Sequence, residues 1–309
     1  MIQPSRWRLT AVLITGILAV SLTAVWIRLA IDAATPEHKV GFSLFLAAAR
    51  LICAAVIVLP AWKGFRLSPL SGEVDNTRYN SRIYYAIAAG ICLAAHFATW
   101  ITSVAYTSIA AATVLVNTNP IWTGLLSWVW YGERLTRQRI VAIFLALVGG
   151  VIIALANGSG SSNYDSPMLG NALALLGAIM FSLYLILGLQ AQQRGLNTSN
   201  YIAIAYSTAA LCLLPLPLLT QTSYLGYPPL VYLCVLLMAV MSQIVGHTSL
   251  NWLVRWLSPT LISLSLLFEP VIASCLGAMF FQEIPSLNLL FGGGIILIAI
   301  ALFLRQKSV

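Results

Sequence analysis

Charged residues are scarce in this 309-residue chain: Asp, Glu, Lys and Arg make up 8% of it, whereas hydrophobic residues make up 60%. Soluble globular proteins carry about 25% charged residues, because polar side chains have to cover their surface. With about a third of that share, and with a mean hydropathy of +0.91, the chain is neither a soluble enzyme nor a disordered segment nor a secreted disulfide scaffold. The composition predicts a polytopic membrane protein.

Motifs of metal, nucleotide and covalent chemistry are also lacking. The five cysteines lie inside apolar runs, without the spacing of a zinc site or the loop positions of disulfides. The chain has no His-Glu-x-x-His, nucleophile elbow, Walker lysine or paired protease aspartates. Its basic residues form no patch interleaved with aromatic residues, which argues against nucleic acid as a partner. We therefore expect that the protein is not an enzyme and that it binds no cofactor and no metal. If it transports a solute, the energy has to come from a gradient, because the sequence has no nucleotide site.

Long apolar runs provide ten segments that can cross a bilayer, which takes about 20 residues per helix. Polar or proline-containing breaks near Ser108 and between Pro215 and Pro229 divide two longer runs into two spans each. Predicted helices 1 to 10 lie within residues 9–27, 40–62, 83–132 (two helices), 140–157, 167–190, 195–254 (two helices), 259–281 and 287–304.

The basic residues predict the orientation of these helices. Thirteen Lys and Arg residues fall on one side of the membrane, whereas only Arg28 and Lys39 fall on the other. This positive-inside bias predicts a multi-pass protein of the inner or plasma membrane with both termini in the cytoplasm. The first helix is predicted to stay uncleaved, because its uncharged core exceeds the roughly 7–15 residues of a signal peptide; a cleaved signal peptide is the alternative.

An internal repeat divides the chain into two halves. When Pro120 is placed on Pro270, Glu133 falls on Glu283 without a gap. Each half then has a polar residue before a mid-helix proline, an aromatic-rich helix end, a glutamate and a closing apolar helix.

The repeat predicts two five-helix units, residues 9–157 and 167–304, joined by a polar linker at 158–166. Because five is odd, the second unit enters the membrane in the opposite sense. Inverted repeats are typical of secondary transporters, with the solute site near the midplane between the halves. The predicted fold is an all-α integral membrane protein of ten transmembrane helices in two inverted five-helix repeats, with helices 3, 4, 8 and 9, together with 1 and 6, around the site.

Short sequence patterns follow one another along most of the chain. They are Phe45-Leu-Ala-Ala-Ala-Arg50, Ala105-Tyr-Thr-Ser-Ile-Ala-Ala-Ala112 with Asn119-Pro120, Tyr131-Gly-Glu133, Gly170-Asn-Ala-Leu-Ala-Leu-Leu-Gly177 with Ser182-Leu-Tyr184, Leu257-Ser-Pro-Thr260, Glu269-Pro270 and Gln282-Glu283. In this order they resemble the drug/metabolite transporter superfamily, specifically the ten-helix type with two EamA domains; Gln282-Glu283 departs from the usual Gly-Glu. The resemblance implies gradient-driven, usually proton-coupled movement of small organic solutes, often outward.

Two charged residues lie inside predicted spans: Arg50 in helix 2, and Glu269 directly before Pro270 in helix 9. Ionisable groups at membrane depth are costly unless they are paired or face water, so both are candidates for function. We expect Glu269 to take up and release a proton or to hold a cationic solute. The alternatives are a structural Arg50–Glu269 ion pair and, for Arg50, snorkelling to the interface.

Two histidines occupy matched positions in the halves, His96 at 24 residues before the first aligned proline and His247 at 23 before the second. Trp100 follows His96 by one helical turn. Gln243, His247 and Asn251 are spaced four residues apart, which in an α-helix predicts one polar stripe. We expect the two histidines to approach a shared cavity; the alternative is that each is a satisfied core residue.

The breaks at Pro120 and Pro270 place further polar groups at membrane depth, among them Asn117 and Asn119 in helix 4. These amides could bind a solute, or they could satisfy carbonyls that the prolines free. Trp26 and Tyr184, in the first helix of each half, could form aromatic walls or pack in the core. Glu133 and Glu283 end helices at opposite faces and are expected to be structural or gating residues.

Taken together, these residues predict a secondary transporter for amino-acid-like or drug-like solutes. Its partners would be a small-molecule solute, protons and the lipid bilayer, in an oligomeric state that the sequence does not specify. The alternatives are an uncoupled facilitator or channel and a non-transporting membrane assembly or sensory subunit.

Overall fold

The computed structural model describes residues 4–63, 76–131, 136–158, 164–257, 262, 265–266, 268–282 and 284–304. Regular secondary structure in these ranges is helical throughout. The helices of the first half are α1 (Arg6–Ser21), α2 (Thr23–Ala34), α3 (Lys39–Ile57), α4 (Pro60–Lys63), α5 (Asn76–Tyr106), α6 (Ile109–Val116), α7 (Asn119–Tyr131) and α8 (Arg137–Gly158). Those of the second half are α9 (Pro167–Gln193), α10 (Thr198–Leu213), α11 (Leu216–Leu219), α12 (Pro229–Leu237), π1 (Met238–His247), α13 (Thr248–Leu253), α14 (Phe268–Phe281) and α15 (Leu287–Leu304).

The helical segments have the lengths and surfaces of membrane spans. Within the described ranges, seven are long and apolar enough to cross a bilayer, and three shorter apolar helices lie at predicted helices 5, 9 and 10. Large apolar side chains such as Phe144, Leu211 and Phe291 are exposed on outward faces, where lipid can cover them. The all-helical, multi-pass architecture is confirmed, while the count of ten spans stays a prediction.

Helix pairs recur between the two halves. The third span, α5 of the first half, packs along the sixth span, α9 of the second half. The eighth span, which consists of π1 and α13 of the second half, packs along α1, the first span. Exchange of the halves converts one pair into the other. The fifth and tenth spans, α8 and α15, pack on each other and exchange places under the same operation. This pairing is that of two structural repeats.

Glycines permit the closest of these contacts. A Cβ atom on Gly149 of α8 would lie 2.7 Å from the Gly292 carbonyl oxygen of α15, and one on Gly170 of α9 would lie 2.9 Å from Thr107 Cβ. Both distances are shorter than a van der Waals contact. Close backbone approach through small residues is how helices associate where no hydrophobic effect drives them together.

The fourth span is broken in its middle. Pro120 has no N–H group to donate to the carbonyl four residues earlier, and α6 ends at that residue, Val116. A new helix, α7, then starts at Asn119. In the ninth span, α14 likewise starts beside a proline, at Phe268. Both half-helices therefore begin inside the membrane, one or two residues before the aligned prolines.

The eighth span contains a ten-residue π-helix, π1. Its hydrogen bonds run from residue i to i+5, so that one turn takes more residues than in an α-helix. Four residues therefore fall slightly short of one turn in π1, whereas they slightly exceed one turn of an α-helix. Gln243 and His247 lie in π1 and Asn251 lies in α13, and the stripe of these three residues stays a prediction.

Candidate solute-binding site

A small cavity lies between helices of the two halves. Its volume is about 30 Å³, which is room for about one or two water molecules. The wall comes from the first, third, fourth, sixth, eighth and ninth spans, the six expected to surround the site. Its residues are Val20, Thr23, His96, Trp100, Val116, Asn117, Asn119, Phe181, His247, Leu250, Leu266 and Glu269.

The two histidines meet on this wall, with ring centroids 6.4 Å apart. His96 Nδ1 lies 2.9 Å from the Gly177 carbonyl oxygen. A carbonyl oxygen can only accept, so Nδ1 carries the hydrogen and Nε2 is the acceptor of the neutral ring. Trp100 stacks on His96 at 5.9 Å with the ring planes 10° apart, and Phe181 lies 5.0 Å from His96. The third and sixth spans thus give the cavity an aromatic wall.

Glu269 is the acidic residue of the wall and lies in the first turn of α14. Its Oε2 accepts a hydrogen bond of 3.2 Å from Asn117 Nδ2, which also donates to the Thr113 carbonyl oxygen at 2.9 Å. Asn119 begins α7 and corresponds to Glu269 in the repeat, since each precedes its aligned proline. The two repeat-related residues therefore face one cavity.

Two wall residues keep a buried polar atom that has no hydrogen-bond partner among the described residues. They are Asn119, through Oδ1, and Trp100, through Nε1. The side chains are only 2% and 4% exposed, respectively. A buried polar group that lacks a partner costs about 1–3 kcal/mol, so both atoms call for a water molecule or a solute in the cavity.

Arg50 lies behind this wall and is fully buried. Its Nη2 donates to Ser242 Oγ at 3.1 Å and to Gln243 Oε1 at 2.9 Å, and its guanidinium lies 4.0 Å from the centroid of the Phe97 ring. Phe97 in turn contacts the ring of His247 at 5.2 Å. Within the described part of the chain, Arg50 forms no ion pair with Glu269, so the predicted alternative of a structural pair does not hold there.

Besides Arg50, four more of the predicted site residues lie away from the cavity wall. Gln243 holds Arg50, and Asn251 Nδ2 donates to the Tyr184 hydroxyl at 2.6 Å. Tyr184 is buried in the hydrophobic core, and Trp26 packs half-buried against the same core. These side chains support the cavity from behind in this conformation.

Sequence reasoning missed two hydroxyls that join the halves. Thr23, on the wall, forms a hydrogen bond with Ser242 of π1, and Ser242 also accepts from Arg50. Hydroxyls in membrane helices commonly bond to their own backbone, as Ser21 Oγ does with the Ile17 carbonyl oxygen at 2.8 Å. The sequence contains no signal that separates these two uses. The sequence analysis also missed Phe181, which directly precedes the motif Ser182-Leu-Tyr184.

The remaining predicted residues divide into two groups. Pro120 and Pro270 are buried beside the wall at the starts of α7 and α14. Glu133 and Glu283 lie outside the described residues. Among the residues that are described, no group of three or more His, Cys, Asp or Glu side chains is arranged to hold a metal ion.

Comparisons with known proteins agree with this architecture. The sequence profile of the EamA-like transporter family matches residues 7–155 and again residues 168–305. The chain is 24% identical to the uncharacterized transporter YdfC of Bacillus subtilis (strain 168), over 86% of this chain and 81% of that protein. It is 25% identical to a probable terminal-alkyne amino-acid exporter of Streptantibioticus cattleyicolor, over 63% of this chain and 64% of that protein. A crystal structure that is 19% identical has the same fold, with a TM-score of 0.60 over 96% of both chains.

The two profile matches cover most of the chain, one in each half, and the helix pairing repeats between the same halves. Relatives that match along most of its length are named as transporters. This chain belongs to the EamA-like transporter family of the drug/metabolite transporter superfamily, and is a multi-pass membrane transporter rather than an enzyme.

Proposed function

We propose that this protein is a secondary transporter that moves small organic metabolites across the inner or plasma membrane by alternating access. The observation that carries the proposal is the cavity between the halves, in which Asn119 and Glu269 take repeat-related positions at the starts of two half-helices. Broken helices with polar groups at a repeat interface are how many secondary transporters build their solute sites.

The size of the cavity supports alternating access. With a volume of about 30 Å³ the cavity has room for water rather than for a metabolite, and in our proposal the halves separate to let a solute pass. Where the halves join, Lys39 forms an ion pair with Asp165 of the linker, and Thr107 Oγ1 donates to Asn171 Oδ1 at 3.1 Å. In our proposal, residues 9–157 and 167–304 rock against each other, and these contacts break when the linker side opens.

Glu269 is the proposed site of proton coupling. It faces Asn117 and the two cavity histidines, and the guanidinium of Arg50 lies further back behind Phe97. Because no cation is paired with it in the described structure, its charge can change without the loss of an ion pair. An ionisable residue at membrane depth that faces a cavity is typical of proton relays in transporters.

Export, with both termini in the cytoplasm, is the proposed direction and orientation. The orientation rests on the bias of basic residues. The direction rests on the relative named as an exporter of an amino acid, and amino-acid-like or drug-like solutes are the proposed cargo.

The proposal is tested by comparing the solutes that expressing cells release into the medium. Wild type, Glu269→Gln and, as a matched control, Glu37→Gln would be brought to equal membrane levels; Glu37 is exposed in the turn between α2 and α3. We expect a defined metabolite to be released by wild type and Glu37→Gln and not by Glu269→Gln. Release by Glu269→Gln at the wild-type rate would contradict the coupling role and favour an uncoupled facilitator. If the media of all cells, including cells without the protein, contained the same solutes at the same levels, export would be contradicted.

A further inference from the structure

The unpartnered atoms of the cavity are mainly acceptors. Asn119 Oδ1 is buried and has no donor. Glu269 accepts from Asn117 through one oxygen only, which leaves the other oxygen with no hydrogen bond in the described structure. His96 donates to Gly177 through Nδ1, so Nε2 of the neutral ring is a third acceptor. The donors of the wall are neutral: Trp100 Nε1, which is buried without a partner, and the N–H group of the neutral His247 ring.

Glu269 is the acidic residue of the wall. The described wall contains two histidines, His96 and His247, and no Lys or Arg. Arg50 is the nearest buried cation, but the Phe97 ring covers it, and its hydrogen bonds go to Ser242 and Gln243. A carboxylate in the cavity would therefore meet acceptors and a like charge, which leave a buried anion without compensation.

The rest of the wall is aromatic and aliphatic. Trp100, His96 and Phe181 form one continuous set of rings, with neighbouring centroids 5.0–5.9 Å apart. Val20, Leu250 and Leu266 complete the wall. Aromatic faces attract a desolvated ammonium group and also pack against an apolar body.

From these groups we infer that the solute is a protonated amine with an apolar or aromatic body. Its ammonium group, with up to three N–H donors, binds between Glu269 and Asn119, the two repeat-related residues. Its body packs against Trp100 and Phe181 once the halves have separated. The inference rests on the proposed transport function and narrows its cargo from organic metabolites to cations.

Three probes with the same ring distinguish a cation from other charges: 2-phenylethylamine, phenylalanine and 3-phenylpropionate. Binding of each to the purified full-length protein would be measured by isothermal titration calorimetry at neutral pH. We expect 2-phenylethylamine to bind at least about tenfold more tightly than 3-phenylpropionate, because a site built for donors rejects an analogue that lacks them. Equal or tighter binding of 3-phenylpropionate, or no measurable binding of the amine, would overturn the inference.

Variants at Asn119 test the proposed contact. Asn119→Leu removes the acceptor and is expected to weaken amine binding at least about tenfold, whereas Asn119→Asp keeps an acceptor and is expected to retain it. Gln192→Leu is the matched control, since Gln192 is also a buried amide but is not on the cavity wall. If Asn119→Leu and Gln192→Leu bind the amine equally well while both remain monodisperse, the assignment to Asn119 is wrong.

The transport assay separates this inference from the function on which it rests. If cells export an anionic or neutral metabolite in a Glu269-dependent way, the transport proposal stands and the cation inference fails. If no solute is moved in either direction, the transport proposal itself fails.

Discussion

Arg50 shows how a cation is accommodated at membrane depth without an anionic partner. Two neutral oxygens, those of Ser242 and Gln243, accept from it, and the Phe97 ring covers one face of the guanidinium. Its Nε and Nη1 atoms have no partner in the structure. The planar guanidinium is more weakly hydrated than an ammonium group and stacks on rings, which is why arginine can occupy this position at a tolerable cost.

This arrangement predicts coupling between Arg50 and Gln243. Arg50→Met leaves the Gln243 amide oxygen buried without a donor and should lower the free energy of unfolding by about 1–3 kcal/mol. In Arg50→Met/Gln243→Leu the orphaned oxygen is gone, so the double variant should be more stable than the sum of the single changes predicts. Thermal unfolding of the detergent-purified variants measures this. Strictly additive effects would mean that the bond contributes nothing.

Sequence reasoning is most informative where a residue type is rare at membrane depth. His96, His247 and Glu269 stand out in apolar runs, and all three line the same cavity; their role there stays a prediction. It is least informative where backbone geometry decides, because a π-helix has no compositional signature. The partners of Arg50 depend in turn on that helix, because Ser242 and Gln243 both lie in π1.

At the scale of elements, the half-helices decide where polar groups face the cavity. Asn119 reaches the wall because α6 ends at Val116 and α7 begins anew. An unbroken helix would satisfy the freed backbone groups internally and would give Asn119 a different environment. The missing N–H group of proline thus breaks the span, and the break decides which polar side chains line the cavity.

Replacing Pro120 tests this role. Pro120→Ala restores an N–H donor and is expected to keep or raise thermal stability while it lowers transport severalfold. Pro229→Ala is the control, because Pro229 starts α12, where a missing N–H group costs nothing. Stability and transport of both variants would be measured side by side. Full transport by Pro120→Ala would show that the break is not needed.

The contact of α8 with α15 provides a prediction about stability. Gly149→Val places side-chain atoms against the Gly292 carbonyl oxygen, which a Cβ alone would approach to 2.7 Å, and is expected to destabilise the protein by about 1–3 kcal/mol. Gly294→Ala serves as the control, since a Cβ there meets nothing within 4 Å. Thermal unfolding of the two variants gives the comparison, and equal midpoints would contradict the packing described for this pair.

At the scale of the whole molecule, the two halves meet through contacts of different strength. On the linker side the exposed ion pair of Lys39 with Asp165 lies beside buried contacts between the halves, in which Phe42 and Phe45 pack on Tyr227 with ring centroids 5.0 and 4.7 Å apart. Exposed ion pairs contribute little, about 0–1 kcal/mol. The ion pair can therefore open at small energetic cost, whereas the buried ring contacts would have to be exchanged for other contacts when this side opens.

Cross-linking tests whether this side has to open. Lys39→Cys/Asp165→Cys would be introduced into a chain without its five native cysteines, and the pair would be joined by a short bifunctional reagent that forms a reducible disulfide with each thiol. We expect transport to stop on cross-linking and to return on reduction, whereas each single-cysteine variant treated with the same reagent should transport normally. Continued transport by the cross-linked protein would mean that the linker side does not open.

The most direct test of the account is solute flux in proteoliposomes under an imposed pH gradient. Wild type and Glu269→Gln would be reconstituted at equal density, with a metabolite identified from the cell-release experiment as the labelled solute. The account predicts that the gradient drives wild-type protein to accumulate the solute against its concentration, and that Glu269→Gln shows no such accumulation. Flux that is the same with and without the gradient, or gradient-driven accumulation by Glu269→Gln, would contradict it.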